Sequence, residues 1–251
     1  LSRGWTWNRW LRMLSCCLAA GLLMSTVGCY TIESKKNPNE LYQLALSGLS
    51  GTDNFTFRGQ SFIYGNNRAL IREPIQYHGT VKAHQLQGFQ MSMANKQVTS
   101  FADRWNPLRQ LEEIKNLAKT MEIDGTASNR THIVMRMRLA PEAGKMLLTQ
   151  NLNDEMRKLE EQKIQVQNLH SLTDADRSKL QSELGQILST GYNKLQKMTS
   201  DMQVDSKYTL WINRSTLLPS KLYSKTKTNY HLNGVPREEV VVTESKFDGY
   251  Q

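Results

Sequence analysis

From residue 37 onward the chain switches between two hydrophobic periods. Asn37-Pro38-Asn39-Glu40 carries the marks of a helix start, with Asn as N-cap and Pro at the first helical position. Leu41, Leu44, Ala45 and Leu49 follow at helical spacing, and Gly48 and Gly51 close the segment. After Asp53 the period becomes two. Phe55, Phe57, Gly59, Ser61 and Ile63 alternate with Thr56, Arg58, Gln60 and Phe62. Ile75, Tyr77, Gly79, Val81 and Ala83 alternate with Gln76, His78, Thr80, Lys82 and His84, and Phe89, Met91 and Met93 alternate with Gln90 and Ser92. Successive side chains of a strand point to opposite faces, so each segment predicts a half-buried antiparallel strand. From Asn106-Pro107 the spacing is helical again, through Leu108, Leu111, Ile114, Leu117 and Ala118, and it ends before Gly125. Residues 129–139 return to period two, with Ile133, Met135, Met137 and Leu139 on one face and His132, Arg136 and Arg138 on the other.

Pro141 opens the longest helical stretch. Leu152, Met156, Leu159 and Val166 make one stripe, and Leu180, Leu184, Ile187, Gly191, Leu195, Met198 and Met202 make a second after a fresh N-cap at Thr173-Asp174-Ala175-Asp176. Two stripes joined by a short polar turn predict an antiparallel helical hairpin or coiled coil inserted at residues 141–203, each arm roughly 40 Å long. Three strands complete the chain, 207–212, 220–230 and 238–247, and Asn233-Gly234 is a strong hairpin turn. The expected fold is α+β: an antiparallel sheet opened by one helix, interrupted by helices and finished by three C-terminal strands.

The first 28 residues read as an address. Arg3, Arg9 and Arg12 precede Leu14–Gly28, an apolar run without a charge, which is the pattern of a secretory signal. The run is shorter than the about 20 apolar residues that span a bilayer. It ends in Ser25-Thr26-Val27-Gly28-Cys29. Small residues before a cysteine at this place resemble the bacterial lipobox, apart from Thr26, where that pattern usually has Leu. The resemblance implies cleavage before Cys29 and a diacylglyceryl anchor with palmitate-type chains on its thiol. The alternative is an uncleaved anchor. Residues 30–36 then form a polar tether between lipidated Cys29 and a domain over 37–251. The implied location is the extracytoplasmic face of a cell membrane.

Composition narrows the chemistry. Cys16, Cys17 and Cys29 are the only cysteines, so nothing after residue 29 supplies a disulfide framework, a thiolate metal site or a cysteine nucleophile. The five histidines, His78, His84, His132, His170 and His231, lack the spacing that sets two ligands on one helix face. There is no nucleophile elbow, phosphate-cradling glycine loop or calcium loop. The expectation is a non-enzyme without cofactor or metal. The net charge of +9 is spread along the chain rather than clustered, which argues for a solvated surface and against a nucleic-acid partner.

Residues 208–221, Tyr-Thr-Leu-Trp-Ile-Asn-Arg-Ser-Thr-Leu-Leu-Pro-Ser-Lys, resemble the strand–turn–Pro–strand signature of the bacterial lipoprotein-carrier superfamily, which includes LolA-like and LppX-like lipoproteins and many Gram-positive envelope lipoproteins. Asn213 stands where the family commonly has Asp. The resemblance covers about fourteen residues closely, and residues 95–205 have little counterpart in it. It implies a curved sheet, or half-barrel, with helices over the concave face and an apolar ligand such as a lipid held between them. The other reading of the same arrangement is a filled core. Two functions follow as expectations: a lipid-anchored carrier-like protein binding an apolar ligand, or a structural or assembly lipoprotein docking another envelope protein through the hairpin. For the second, Leu184, Ile187 and Leu195 are the candidate contact residues.

Cys29→Ser is expected to abolish acylation and release the protein from the membrane while leaving the domain folded. Each methylene of an acyl chain contributes about 0.8 kcal/mol of membrane affinity, so two chains anchor firmly. Detergent phase partitioning and intact mass decide it. A wild-type chain that keeps residues 1–28 and carries no lipid mass refutes the assignment.

Overall fold

Alternation and turn chemistry account for most of the architecture seen in a computed structural model of the chain, which describes residues 37–94, 96–98, 105–167 and 173–251. The expected signal at 1–28, Cys29, the expected tether at 30–36 and residues 168–172, between the two helical stripes, lie outside the described residues. Tyr42–Gln251 form one compact unit, and of the unit before it, Leu1–Leu41, residues 37–41 are described. No described helix is long and apolar enough to cross a membrane.

Helix α1 (Pro38–Ser50) begins where Asn37 Oδ1 accepts the Asn39 amide at 3.0 Å. Its buried face in the main unit is Tyr42, Ala45, Leu46 and Leu49, whereas Leu44 is exposed. The expected stripe included Leu44 and omitted Tyr42 and Leu46. Positions 42, 45, 46 and 49 share one face at 3.6 residues per turn, and 44 falls off it.

The strands are β1 (Asn54–Tyr64), β2 (Ile75–Lys82), β3 (Gln85–Met93), β4 (Lys96–Val98), β5 (Ala118–Ile123), β6 (His132–Leu139), β7 (Gln203–Asn213), β8 (Pro219–Leu232) and β9 (Val235–Asp248). They form one open sheet in the order β4-β3-β2-β1-β9-β8-β7-β6-β5, with every neighbouring pair antiparallel. The fold class is therefore α+β with an open antiparallel sheet, as expected. Two sequence-level boundaries move. Ala83 and His84 do not extend β2: both have positive φ, 49° and 62°, and form the two-residue turn into β3 whose twist suits a hairpin. Residues 118–123 are not the tail of a helix. Helix α2 (Pro107–Leu117), capped by Asn106 Oδ1 on the Leu108 amide at 3.0 Å, ends where Ala118 turns to ψ 125°. The chain then pairs with β6, Met121 opposite Met137 and Ile123 opposite Met135. Long-range pairing overrides the local helical spacing there.

Asn-x-Ser/Thr triplets build two of the loops. Asn129 Oδ1 accepts the amide and hydroxyl of Thr131, at 2.9 and 2.8 Å. Asn213 Oδ1 does the same for Ser215, at 2.9 and 2.7 Å. Both are Asx turns, in which a side-chain oxygen replaces a backbone carbonyl. Arg214 Nε, donating to Asn129 O at 2.6 Å, ties the two loops together.

Two glycines let aromatic rings cross a strand on the inner face of the sheet. Gly79 lies opposite Phe57, whose ring passes over it to within 5.9 Å of the Phe89 ring on β3. Gly59 lies between Tyr77 and Ser245, and the Tyr77 hydroxyl passes over it to hydrogen-bond Ser245 Oγ at 2.6 Å. A Cβ at either glycine would sit 2.4 Å from the crossing ring.

Helices α3 (Pro141–Gln167) and α4 (Asp174–Ser200) run antiparallel. Lys145 Nζ donates to Ser200 O at 2.9 Å, and the Tyr192 hydroxyl lies 3.3 Å from Glu160 Oε2. Thr173 caps α4 through its Oγ1 on the Asp176 amide. The start of α3 lies on β7, where a Cβ on Gly144 would be 3.1 Å from Val204 Cγ1.

Gly79→Ala is expected to lower stability by about 1–3 kcal/mol, the cost of overpacking a confined ring. Gly125→Ala, with no atom near the added methyl, should stay within about 0.5 kcal/mol of wild type. Urea unfolding of both variants checks the pair.

Candidate functional site

The inner face of the sheet is not uniformly apolar. Its centre, on β1, β7, β8 and β9, carries buried Ser61, Ser206, Ser224, Thr243 and Ser245. These hydroxyls pair across strands, Ser61 with Thr243 at 3.0 Å and Ser206 with Thr226 at 3.1 Å, which offsets the cost of burying them. Above this belt, Glu113 of α2 accepts from Arg109 Nε at 3.0 Å, and Arg109 Nη2 reaches Asn151 Oδ1 of α3 at 3.1 Å. Burial pushes the Glu113 carboxyl up against the opposing pull of Arg109, and burial together with the Glu113 charge pushes the Tyr208 hydroxyl up to about 12. The space left between this floor and helices α2 and α3 is about 80 Å3. Small-molecule sites usually have about 300–1,000 Å3. The centre of the sheet is a filled, partly polar core.

The opening lies toward the other end of the inner face. Leu46 and Leu49 of α1, Leu108 and Leu111 of α2, Phe55, Val81 and Leu86 line a cleft of about 270 Å3. Amphipathic spacing supplies the helical walls, and alternation supplies Phe55 and Val81 from the floor. The Tyr42 hydroxyl fixes the two walls to each other by donating to Leu111 O at 2.7 Å, and burial raises its pKa well above the ordinary value. At the rim His84 Nε2 pairs with Asp53 Oδ1 at 2.9 Å. Leu108 is half-buried and Leu86 exposed, so the apolar lining reaches solvent. Such a cleft accepts a short apolar segment and offers few groups for chemistry. Among the described residues no group of three or more His, Cys, Asp and Glu side chains is placed to hold a metal ion.

The residues singled out in the sequence fall elsewhere. Cys29 is outside the described residues. Leu184 and Leu195 are half-buried on α4, and Ile187 is 65 % exposed. The inward stripe of α4 runs through Leu188, which is 9 % exposed, rather than through Ile187 as the spacing suggested. Gly191 beside it approaches Met156 of α3. The three candidates therefore do not share one surface. The cleft itself was missed because its lining comes from four separate segments, each of which looks like ordinary core.

No protein-family model matches the chain, and no curated protein matches it. Among solved structures, the chain has a distant likeness to a LolA superfamily protein from Nitrosomonas europaea, at 9 % identity and a TM-score of 0.23. That likeness covers 86 % of this chain and 94 % of the other.

Proposed function

We propose that this chain is a non-enzymatic, lipid-anchored protein of the extracytoplasmic membrane face that takes the end of an apolar chain into the cleft between α1, α2 and strands β1–β3. The supporting observation is the lining of that cleft: seven aliphatic and aromatic side chains, five of them buried, with half-buried Leu108 and exposed Leu86 at the mouth. A concave apolar lining with an apolar mouth is the form of a site that takes a hydrocarbon end. Acylation at Cys29 would hold the domain against a membrane, where acyl chains are the abundant apolar partner. The signature at residues 208–221 agrees with a carrier-like protein, and the half-barrel it implies would hold such a cleft between sheet and helices.

Native mass spectrometry of protein extracted from its own membrane tests this reading. Wild type should carry a non-covalent mass of fatty acid or phospholipid size. Leu108→Trp, which fills the mouth from a half-buried position, should lower its occupancy at least tenfold with an unchanged circular dichroism spectrum. A bare wild-type mass, or equal occupancy in both, overturns the proposal.

A second reading has its own observation. Ile187 on α4 and Leu159 on α3 are exposed apolar side chains on the helical pair, at 65 % and 41 %. A protein-docking role for an inserted hairpin would use them. Ile187→Asp should then remove specific crosslinks in intact cells while the protein stays helical and anchored. An unchanged crosslink pattern excludes Ile187 from any interface.

A further inference from the structure

The outer face of the sheet carries the larger cleft, about 650 Å3, over β9, β1, β2 and β3. Strand register arranges its side chains in two rows. In one, Lys246, Arg58, His78 and Gln90 stand opposite one another on successive strands, and Lys221 of β8 extends the row beyond Lys246. In the other, Glu244, Gln60, Gln76 and Ser92 do the same. Adjacent strands are about 4.8 Å apart, and same-face neighbours along a strand about 6.7 Å, so the two rows form a continuous polar floor.

One feature of this floor is unusual for a solvated sheet face. Lys221, Lys246 and Arg58 are like charges in direct register, an arrangement that opposes strand pairing. Their carboxylate partners do not cancel them. Arg58 pairs with Asp248 at 3.4 Å, Lys221 takes Glu244 at 2.9 Å, and Lys246 stays 3.9 Å from the same Glu244. One positive charge is left over, at Lys246. Beside it Gln60, Gln76, Gln90 and His78 form no side-chain hydrogen bond among the described residues, leaving amide and imidazole groups turned to the cleft.

The balance of these groups defines the ligand. A nucleic acid or polyphosphate is held by many cations, and one excess charge is too few. A hydrocarbon would strip water from the amides and return no hydrogen bonds. A sugar phosphate monoester carries nearly two charges. A sugar carboxylate carries one, matched by Lys246 and the Arg58 fork, and its hydroxyls match amides that both donate and accept.

We propose that this outer-face cleft binds an acidic saccharide of the uronic acid class, with Lys246 and Arg58 on the carboxylate and Gln60, Gln76 and Gln90 on the hydroxyls. The test uses the full chain in nanodiscs of zwitterionic phosphatidylcholine, with a hyaluronan tetrasaccharide as probe and calorimetry as readout. Saturable binding is expected, at least tenfold weaker for neutral chitotetraose and for polyphosphate. Arg58→Gln with Lys246→Gln should weaken the probe at least tenfold, and Gln76→Ala separately at least threefold. Lys119→Gln, on the distant edge strand β5, should have no effect. All these side chains are exposed, and circular dichroism confirms folding of each variant. Polyphosphate binding as tightly as the probe would show a surface that reads charge alone and would overturn the proposal. So would equal binding of chitotetraose, unchanged affinity in the double variant, or no binding of the probe.

Discussion

Strand β1 is the joint of the molecule. It pairs with β2 on one side and β9 on the other, so it connects the first four strands to the five that follow. The two ring crossings bind the same junction. Phe57 reaches over Gly79 toward β3, and Tyr77 reaches over Gly59 toward β9. Each crossing links three strands with one side chain, and each depends on a residue without a Cβ at the crossing point. Phe247 of β9 lies 6.4 Å from Phe57, ring to ring, so the aromatic cluster spans both halves of the sheet.

Around this junction the inner face divides in two. Over β7, β8 and β9 the floor is hydroxyl-lined, and the helices above it answer with Glu113, Arg109 and Asn151. A paired hydroxyl belt fixes strand register, because a hydroxyl out of place would be buried without a partner. Toward the α1 end the floor is Phe55 and Val81, and the walls are leucines. Polar specificity thus lies at the centre and adaptable apolar surface at one end. An acyl chain has no place over the hydroxyl belt and is compatible with the apolar end.

The strands were legible in the sequence because alternation is strict where one face is buried. Phe55, Phe57, Ser61 and Ile63 read as inward and are inward. The turn at Asn233-Gly234 and the caps at Asn37, Asn106 and Thr173 were legible for a local reason, since each is satisfied within a few residues. One misreading lies where a distant partner decides, and others lie in which residues centre a helical face. Lys119–Ile123 leaves helical spacing to pair with β6. Leu188 turns inward in place of Ile187 because positions 184, 188, 191 and 195 centre on one helix face and 187 falls to its side. The cleft was illegible because nothing in Leu46, Phe55, Val81 or Leu108 taken singly distinguishes a lining residue from a core residue. The strand–turn–Pro–strand pattern at 208–221 was legible too: β7 ends at Asn213, whose Oδ1 accepts the Ser215 amide in the turn, and Pro219 opens β8.

The pairing of β1 with β9 also sets an order of events in time. Ser61 and Thr243, hydrogen-bonded across that ladder, are 182 positions apart in the chain. A ribosome adding roughly 5–20 residues per second separates their appearance by roughly 10–40 s. Until β9 is available, a sheet begun by β1 and β2 has one free edge, where Phe57 lacks the Phe247 ring beside it. A nascent chain in this state is a template for stray strand addition. Arg58 places a charge on that open strand, the type of residue that discourages stray pairing. Arg58, which floors the outer cleft in the finished protein, thus stands on the open side of the half-made sheet until β9 arrives.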